Sequence, residues 1–289
     1  MDQRIDQTII DLYDEFTHGG ISRRAFLGRL GKLAGGTTAA MAVLPLLVND
    51  YTRQIVAPAH DRLEISEVEW DAGGTKVGGY LARLKGGEER PGVIVIHENR
   101  GLNPHIKDVA RRMALEGYLA LAFDALSPQG GTPGDENEAR EMIGKLDPDE
   151  TLVHLAAAVP FLSGHPESTG KVGAVGFCWG GGYANQLAAA GTTLNASVPY
   201  YGRQVPVEEV PNITAPLCLQ YAGLDERINA GIADYEAALR ANNKPYEIYL
   251  YEGAQHAFNN DTNESRYNKE AADLAWSRTI AFFQKHLGP

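Results

Sequence analysis

The chain has 289 residues, long enough for one large domain or two small ones, and its 44% hydrophobic content is ordinary for a globular protein. Its 37 acidic and 26 basic residues give a formal net charge of −11 at pH 7. This balance argues against nucleic acid as a partner, because phosphate binding needs a basic face. The two cysteines, Cys178 and Cys218, fall in segments predicted as neighbouring core strands, and we expect both to be reduced.

The first residues predict an amphipathic helix over positions 2–17, because apolar side chains recur there at helical spacing. These side chains are Ile5, Ile9, Leu12 and Phe16. Taken alone, the pattern is typical of a helix that packs on the rest of the protein, and this interpretation stays open for the whole N-terminal region.

The residues that follow are similar to a twin-arginine export signal. The sequence Ser-Arg-Arg-Ala-Phe-Leu at 22–27 precedes a stretch rich in Gly, Thr and Ala, and 57–59 offer a small-x-small cleavage site. The apolar stretch 33–48 is too short and interrupted for a stable membrane span, which needs about 20 apolar residues. We therefore predict that residues 1–59 form an N-terminal helix and an export signal, with the export machinery as partner and a periplasmic or exported location. If the signal is not used, the location would be cytoplasmic.

Residues 60–289 predict one domain in which apolar strands alternate with amphipathic helices. The predicted strands are 63–70, 76–84, 92–97, 118–124, 171–177, 196–202, 215–223 and 246–253. The predicted helices are 104–116, 135–145, 149–163, 179–190, 229–241 and 269–286. The first two strands alternate and form an antiparallel pair, whereas the later apolar runs are typical of strands covered on both faces. This order predicts an α/β fold, a mostly parallel central sheet with helices on both faces.

The sequence GFCWGGG at 176–182 lies between a predicted strand and a predicted helix. A nucleophile elbow has this arrangement, and Gly176 and Gly180 occupy the two positions where a Cβ would collide with a neighbouring element. The helix that begins near Trp179 directs N–H groups at the sulfur of Cys178, which lowers the thiol pKa and can hold an oxyanion. A buried cysteine that only packs against a helix is the alternative that this short motif leaves open.

Two further residues stand at strand ends in the order of a hydrolase triad, which runs nucleophile, acid, histidine. Asp225 follows the strand 215–223, and His256 follows the strand 246–253. In this arrangement His256 takes the thiol proton and Asp225 fixes its tautomer. Asp225 alone is more often a turn or helix-capping residue, Asp261 lies nearby, and the chain has eight histidines.

These motifs together resemble the dienelactone hydrolase family (carboxymethylenebutenolidases), which are cysteine members of the α/β-hydrolase fold. The resemblance runs from about Leu63 to Leu287. Its landmark sequences are VIHENRGLN (95–103), GKVGAVGFCWGGG (170–182), PYYG (199–202), AGLDERIN (222–229) and YEGAQHAF (251–258). It implies that Cys178, Asp225 and His256 are the catalytic triad.

The resemblance also implies that Glu98 acts on the nucleophilic cysteine and that the N–H groups of Trp179 and Asn99 form the oxyanion hole. The chain departs from the family where an arginine for the substrate carboxylate is expected shortly after the histidine, because Asn260 stands there, and we expect Asn260 to lie among the substrate-binding residues. Arg203 and Arg227 are candidates for that role. Trp179 and Tyr201 either line the pocket or pack in the core.

The predicted function is hydrolysis of a small ester or lactone through a thioester on Cys178, with no metal and no organic cofactor. The sequence HENRG lacks the second histidine of a zinc HExxH motif, since Gly101 occupies its position. The alternatives are an α/β-hydrolase-fold binding protein without activity, or a redox protein that oxidises Cys178. A complete set of triad partners argues against the first, and the lack of a positioned resolving cysteine argues against the second.

Overall fold

The computed structural model describes residues 5–288, so the part of the predicted first helix that covers residues 2–4 lies outside the described range. Three helices precede the sheet: α1 (Gln7–Thr17), α2 (Arg23–Leu33) and α3 (Thr37–Leu47). Asp6 caps α1 by accepting a hydrogen bond from the backbone N–H of Thr8, and Ser22 caps α2. The three helices share a small core of their own, formed by Tyr13, Phe16, Phe26, Leu30 and Leu47 among others.

Among residues 5–288, no single helix is long and apolar enough to cross a bilayer. Helices α2 and α3 have the required length and composition only when taken together, and the chain bends by 114° between them.

Eight strands form one sheet in the spatial order β1-β2-β4-β3-β5-β6-β7-β8. They are β1 (Leu63–Ala72), β2 (Thr75–Leu84), β3 (Arg90–Ile96), β4 (Leu119–Asp124), β5 (Ser168–Phe177), β6 (Ala196–Tyr200), β7 (Leu217–Ala222) and β8 (Tyr246–Tyr251). Strand β2 is antiparallel to β1 and β4, and the remaining pairs are parallel. The carboxyl ends of β3 and β5–β8 therefore share one edge, and the loops that follow them can build a common site.

Helices cover both faces of this sheet. They are α4 (Pro104–Leu115), α5 (Glu136–Ile143), α6 (Pro148–Ser163), α7 (Trp179–Ala189), α8 (Glu226–Asn229), α9 (Ile232–Ala241) and α10 (Lys269–Leu287). Along β3, Val93 and Val95 belong to the core under α4 and α10, whereas Ile94 and Ile96 belong to the core under α6 and α7. This alternation of fully buried residues confirms the predicted α/β fold with a mostly parallel sheet.

Two details of the sequence prediction were wrong. Cys178 and Cys218 do not lie on neighbouring strands, because β6 is inserted between β5 and β7; both cysteines are free. The helix predicted from 229 to 241 begins only at Ile232, as α9, and a separate short helix, α8, ends at Asn229 before it. The apolar periodicity did not reveal α8 because a polar cap at Asp225, rather than an apolar face, defines its start.

Candidate active site

Cys178 lies in the sharp turn between the end of β5 and the start of α7. Its backbone has φ 56° and ψ −112°, a conformation that a non-glycine residue rarely adopts outside a constrained site. A Cβ at Gly176 would collide with the carbonyl of Gly180, and one at Gly180 would collide with the carbonyl of His97. The glycines therefore let β5, α7 and the end of β3 approach closely enough to hold the thiol at the edge of the sheet.

Asp225 and His256 meet at this same edge. The Nδ1 of His256 lies 2.5 Å from Oδ2 of Asp225, and both side chains are buried. The other carboxylate oxygen of Asp225 accepts a hydrogen bond of 3.3 Å from the N–H of Ile228 and so caps α8. Asp225 thus serves as a helix cap and also orients the imidazole, and the two interpretations do not exclude each other. Because Nδ1 donates to the carboxylate, Nε2 carries the lone pair when the ring of His256 is neutral.

A second imidazole, absent from the sequence prediction, also faces the thiol. His18 follows the last residue of α1, and its Nε2 lies 3.3 Å from Sγ of Cys178. The rings of His18 and His256 stand edge to face with centroids 4.8 Å apart. The sequence signal was weak: a histidine directly before Gly19 and Gly20, which end an amphipathic helix. Nothing in that signal relates the residue to a cysteine 160 positions away.

The donor atoms of His18, Cys178 and His256 all lie within 4.8 Å of one another. Thiolate and imidazole are ligands that zinc and other soft metal ions prefer, so these three side chains could hold such an ion. The same convergence serves proton transfer, and the elbow and the Asp225–His256 pair are features that a nucleophilic site needs and a metal site does not. The arrangement is therefore best interpreted as a thiol with two imidazoles able to accept its proton.

The charges of this cluster shift the pKa values of Cys178 and His256. Burial raises the pKa of the Cys178 thiol, but the charges of His256 and His18 outweigh it and lower the pKa to about 6. Burial lowers the pKa of His256, yet the negative charges of Cys178 and Asp225 raise it well above its usual value. In contrast, burial raises the pKa of Cys218 to about 12. The site therefore favours a thiolate beside an imidazolium at neutral pH.

Alkylation by iodoacetamide should distinguish the two cysteines. Since the thiolate is the reactive form and the folded-state pKa of Cys178 is lowered, its alkylation rate should rise through about pH 6 and level off above it. Cys218 is fully buried and should stay unmodified in the folded protein over the same range. Peptide mapping after timed alkylation from pH 5 to pH 9 measures both. A Cys178 rate that rises only above about pH 8, as for a free thiol, would contradict the lowered pKa.

Glu98 is buried at the end of β3 and accepts a hydrogen bond of 2.7 Å from Nδ2 of Asn260. Glu98 and Cys178 both line a small cavity of about 20 Å³, room for one water molecule. Asn260 does not line the large cavity at Cys178, and its side-chain amide is directed at Glu98. Asp261, the alternative acid, is engaged elsewhere: it pairs with Arg112 at 2.7 Å and lies 3.2 Å from His105.

A cavity of about 760 Å³ opens at Cys178. Its wall includes Trp179, Tyr201, Arg203, Arg227 and His256, and also Thr17, His18 and Arg23 from the N-terminal region. Trp179 and Tyr201 therefore both line the cavity and pack in the interior. The ring of Trp179 stacks on His97 with centroids 5.0 Å apart. Tyr201 has φ 37°, and its buried hydroxyl has no hydrogen-bond partner among the described residues.

The two predicted oxyanion donors lie next to this cavity as well. Trp179 is the first residue of α7, so its N–H has no acceptor within the helix. Asn99 lines the cavity, and its side chain donates a hydrogen bond of 2.8 Å to the carbonyl of Thr17. The sequence-predicted residues thus lie around one thiol, Asn260 through its contact with Glu98.

Comparison with known proteins extends the likeness to most of the chain. The dienelactone hydrolase family model matches residues 77–287, and a YqhI-like model matches residues 1–35. A protein of Saccharolobus solfataricus, provisionally named a carboxymethylenebutenolidase, is 34% identical over 76% of this chain and 98% of its own. A crystal structure from Klebsiella pneumoniae, provisionally described as a dienelactone hydrolase, is 30% identical with a TM-score of 0.70. It covers 78% of this chain and 99% of that one.

A thermostable esterase from Pseudomonas putida shares the fold over a longer range. The likeness covers 99% of both chains with a TM-score of 0.66 and 17% identity, so it includes the N-terminal helices. The family model alone matches well over half of the residues, and the sheet order and the cysteine elbow agree with it. The chain belongs to the dienelactone hydrolase family.

Proposed function

We propose that this hydrolase cleaves a small ester or lactone with Cys178 as its nucleophile. The observation that carries the proposal is the position of the thiol: it lies on a constrained turn at the opening of a cavity, beside an imidazole that Asp225 orients. A binding protein without activity has no use for the hydrogen bond between Asp225 and His256. A redox protein would need a second thiol, and Cys218 is fully buried on another strand.

The proposed reaction begins from the thiolate that forms when the thiol proton moves to Nε2 of His256, and Sγ then bonds to the carbonyl carbon. The carbonyl electron pair moves to oxygen, where the N–H groups of Trp179 and Asn99 stabilise it by roughly 3 kcal/mol per donor. The tetrahedral intermediate collapses, the bond from carbon to the leaving oxygen breaks, and this oxygen takes the proton from the imidazolium of His256. Water then attacks the thioester as His256 removes its proton, and the thiolate departs from the acid.

The positive charge of the cavity wall favours an anionic substrate. Four arginines line it, Arg23, Arg140, Arg203 and Arg227, against one acidic residue, Glu141. Of these, Arg203 and Arg227 are exposed and form no ion pair with a carboxylate among residues 5–288. We propose that these two arginines bind a carboxylate on the substrate, in place of the family arginine whose position Asn260 occupies.

Paired esters test the activity and this preference together. The purified enzyme is assayed on p-nitrophenyl propionate and on the p-nitrophenyl monoester of succinic acid, which differ by one carboxylate. Arg203→Ala and Arg227→Ala should each raise KM for the anionic ester by about tenfold, the value of one charged hydrogen bond, and leave the neutral ester unchanged. Arg240→Ala is the control, since Arg240 lies on α9 in an exposed pair with Glu236. Equal losses on both esters would contradict carboxylate binding, and no turnover of any ester or lactone would overturn the function.

Export through the twin-arginine route is a separate proposal that depends on Arg23 and Arg24. Conservative replacement of both by lysine should keep the protein in the cytoplasm if the route is used. Cell fractionation of the full chain measures this, and an unchanged distribution would contradict it.

A further inference from the structure

The N-terminal segment, here residues 5–49, is fixed over the active site by side chains from the hydrolase domain. Arg266 pairs with Asp14 at 2.9 Å, and Arg140 donates a hydrogen bond of 2.7 Å to the carbonyl of Phe16. Asn99 donates to the carbonyl of Thr17 at 2.8 Å. Three separate parts of the domain thus hold the last turn of α1, the turn that leads into His18.

The end of α1 is built to bring this imidazole to the thiol. Gly19 has φ 82°, a left-handed conformation that favours glycine, and the N–H of Gly20 donates to the carbonyl of Glu15 at 2.8 Å. The helix therefore stops directly after His18, and the chain continues along the cavity wall through Gly19, Ile21 and Ser22. The ring remains partly buried in the cavity wall rather than on the outer surface.

The hydrogen bond on the far side of the ring fixes the tautomer of His18. Its Nδ1 lies 2.8 Å from the carbonyl oxygen of Asp14, which can only accept, so Nδ1 carries a proton. In the neutral ring Nε2 then carries the lone pair, and this atom faces Sγ of Cys178 at 3.3 Å. His256 has the same arrangement, with Asp225 in place of the backbone carbonyl. Two imidazoles are thus oriented to accept the single proton of one thiol.

We propose that His18 is a second catalytic base of Cys178 and that the N-terminal segment is therefore part of the active site. The inference rests on the proposed function and adds one step to it: in the free enzyme the S–H bond breaks and the proton moves to Nε2 of His18 or of His256. A second acceptor gives the thiol proton an additional site and so raises the fraction of Cys178 that is ionised. The imidazolium that holds the proton, His18 or His256, returns it to the leaving oxygen, because both rings line the cavity at Cys178, so no additional reactant is needed.

His18 lies in the same N-terminal segment as the paired arginines, Arg23 and Arg24. An exported form from which residues 1–59 had been removed would lack one of its two bases and part of its cavity wall. The proposal therefore requires that the fully active enzyme keeps the segment.

His18→Ala and His18→Gln test the proposal, with His60→Ala as the matched control. His60 lies outside the cavity beside Asp61, so its loss should leave activity unchanged. Both His18 variants should lower kcat/KM for p-nitrophenyl acetate by about tenfold or more and shift the alkylation midpoint of Cys178 to higher pH. Because glutamine keeps polar contacts but accepts no proton, His18→Gln carries the test if His18→Ala does not fold.

The outcomes separate this inference from the proposed function. If the His18 variants keep the wild-type alkylation midpoint and kcat/KM while Cys178→Ala is inactive, the second base is refuted and the hydrolase stands. Higher activity in the variants would overturn the proposal too, because His18 would then block the thiol. Wild-type activity that survives EDTA supports proton transfer, whereas loss on chelation and recovery with Zn²⁺ would assign the imidazoles to a metal ion.

Discussion

Cys178→Ala should abolish ester hydrolysis, with a fall in kcat of about 10⁴-fold or more. Removal of a nucleophile eliminates the covalent route, and the oxyanion donors and binding alone supply only a small residual rate. The substitution replaces one sulfur at a partly exposed position, so the fold should persist. A steady-state assay on p-nitrophenyl acetate measures kcat, and circular dichroism verifies that the variant is folded.

Cys218→Ala is the matched control for this loss. Cys218 lies fully buried on β7, and burial raises its thiol pKa to about 12, so it offers no thiolate. Its replacement should keep kcat within about twofold and cost only the packing of one small side chain. Unchanged turnover in Cys178→Ala, or loss of turnover in Cys218→Ala with the fold intact, would contradict the assignment of the nucleophile.

Asp225→Asn should lower kcat by about 10³- to 10⁴-fold while the geometry stays nearly the same. An amide in this position can donate to Nδ1 of His256, which would place the imidazole proton on Nε2, so that His256 could accept a proton neither from the thiol nor from the attacking water. The negative charge that raises the pKa of His256 would also be lost. Steady-state kinetics from pH 5 to pH 9 measure the fall and show that higher pH does not restore the rate.

Asp261→Asn provides the comparison, because Asp261 is a neighbouring carboxylate engaged with Arg112 and His105 outside the cavity. The substitution removes the ion pair with Arg112, so it should reduce stability but leave kcat of the folded enzyme nearly unchanged. The reverse result, a catalytic loss confined to Asp261→Asn, would mean that the acid had been assigned to the wrong residue.

The parts of the site that sequence reasoning could predict are those set by local rules. A Gly-x-Cys-x-Gly sequence between a strand and a helix predicts a tight turn, since the glycines are required by close approach. Asp225 and His256 follow strands β7 and β8, and the carboxyl ends of parallel strands meet at one edge. The individual strands and helices could also be predicted, because the residue patterns of strands and helices differ and most segments are long enough to show one of them.

The missed features depend on contacts between distant segments. His18 reaches Cys178 across 160 residues of sequence, and its placement depends on how α1 docks rather than on any spacing. Asn260 donates to Glu98 because the loop after β8 packs against the end of β3, a contact that its position in the sequence does not indicate. The order of β5, β6 and β7 is likewise a property of the sheet and not of any one strand.

Sγ of Cys178 should become acylated during turnover. The most direct test mixes the enzyme with p-nitrophenyl acetate, quenches in acid within milliseconds to seconds, and maps the peptides by mass spectrometry. We expect one acetyl group on the peptide that contains Cys178, which forms as p-nitrophenol is released and disappears when the ester is exhausted. Release of p-nitrophenol with no acetyl group on Cys178 at any time, or with stable acetylation of another residue, would contradict the account.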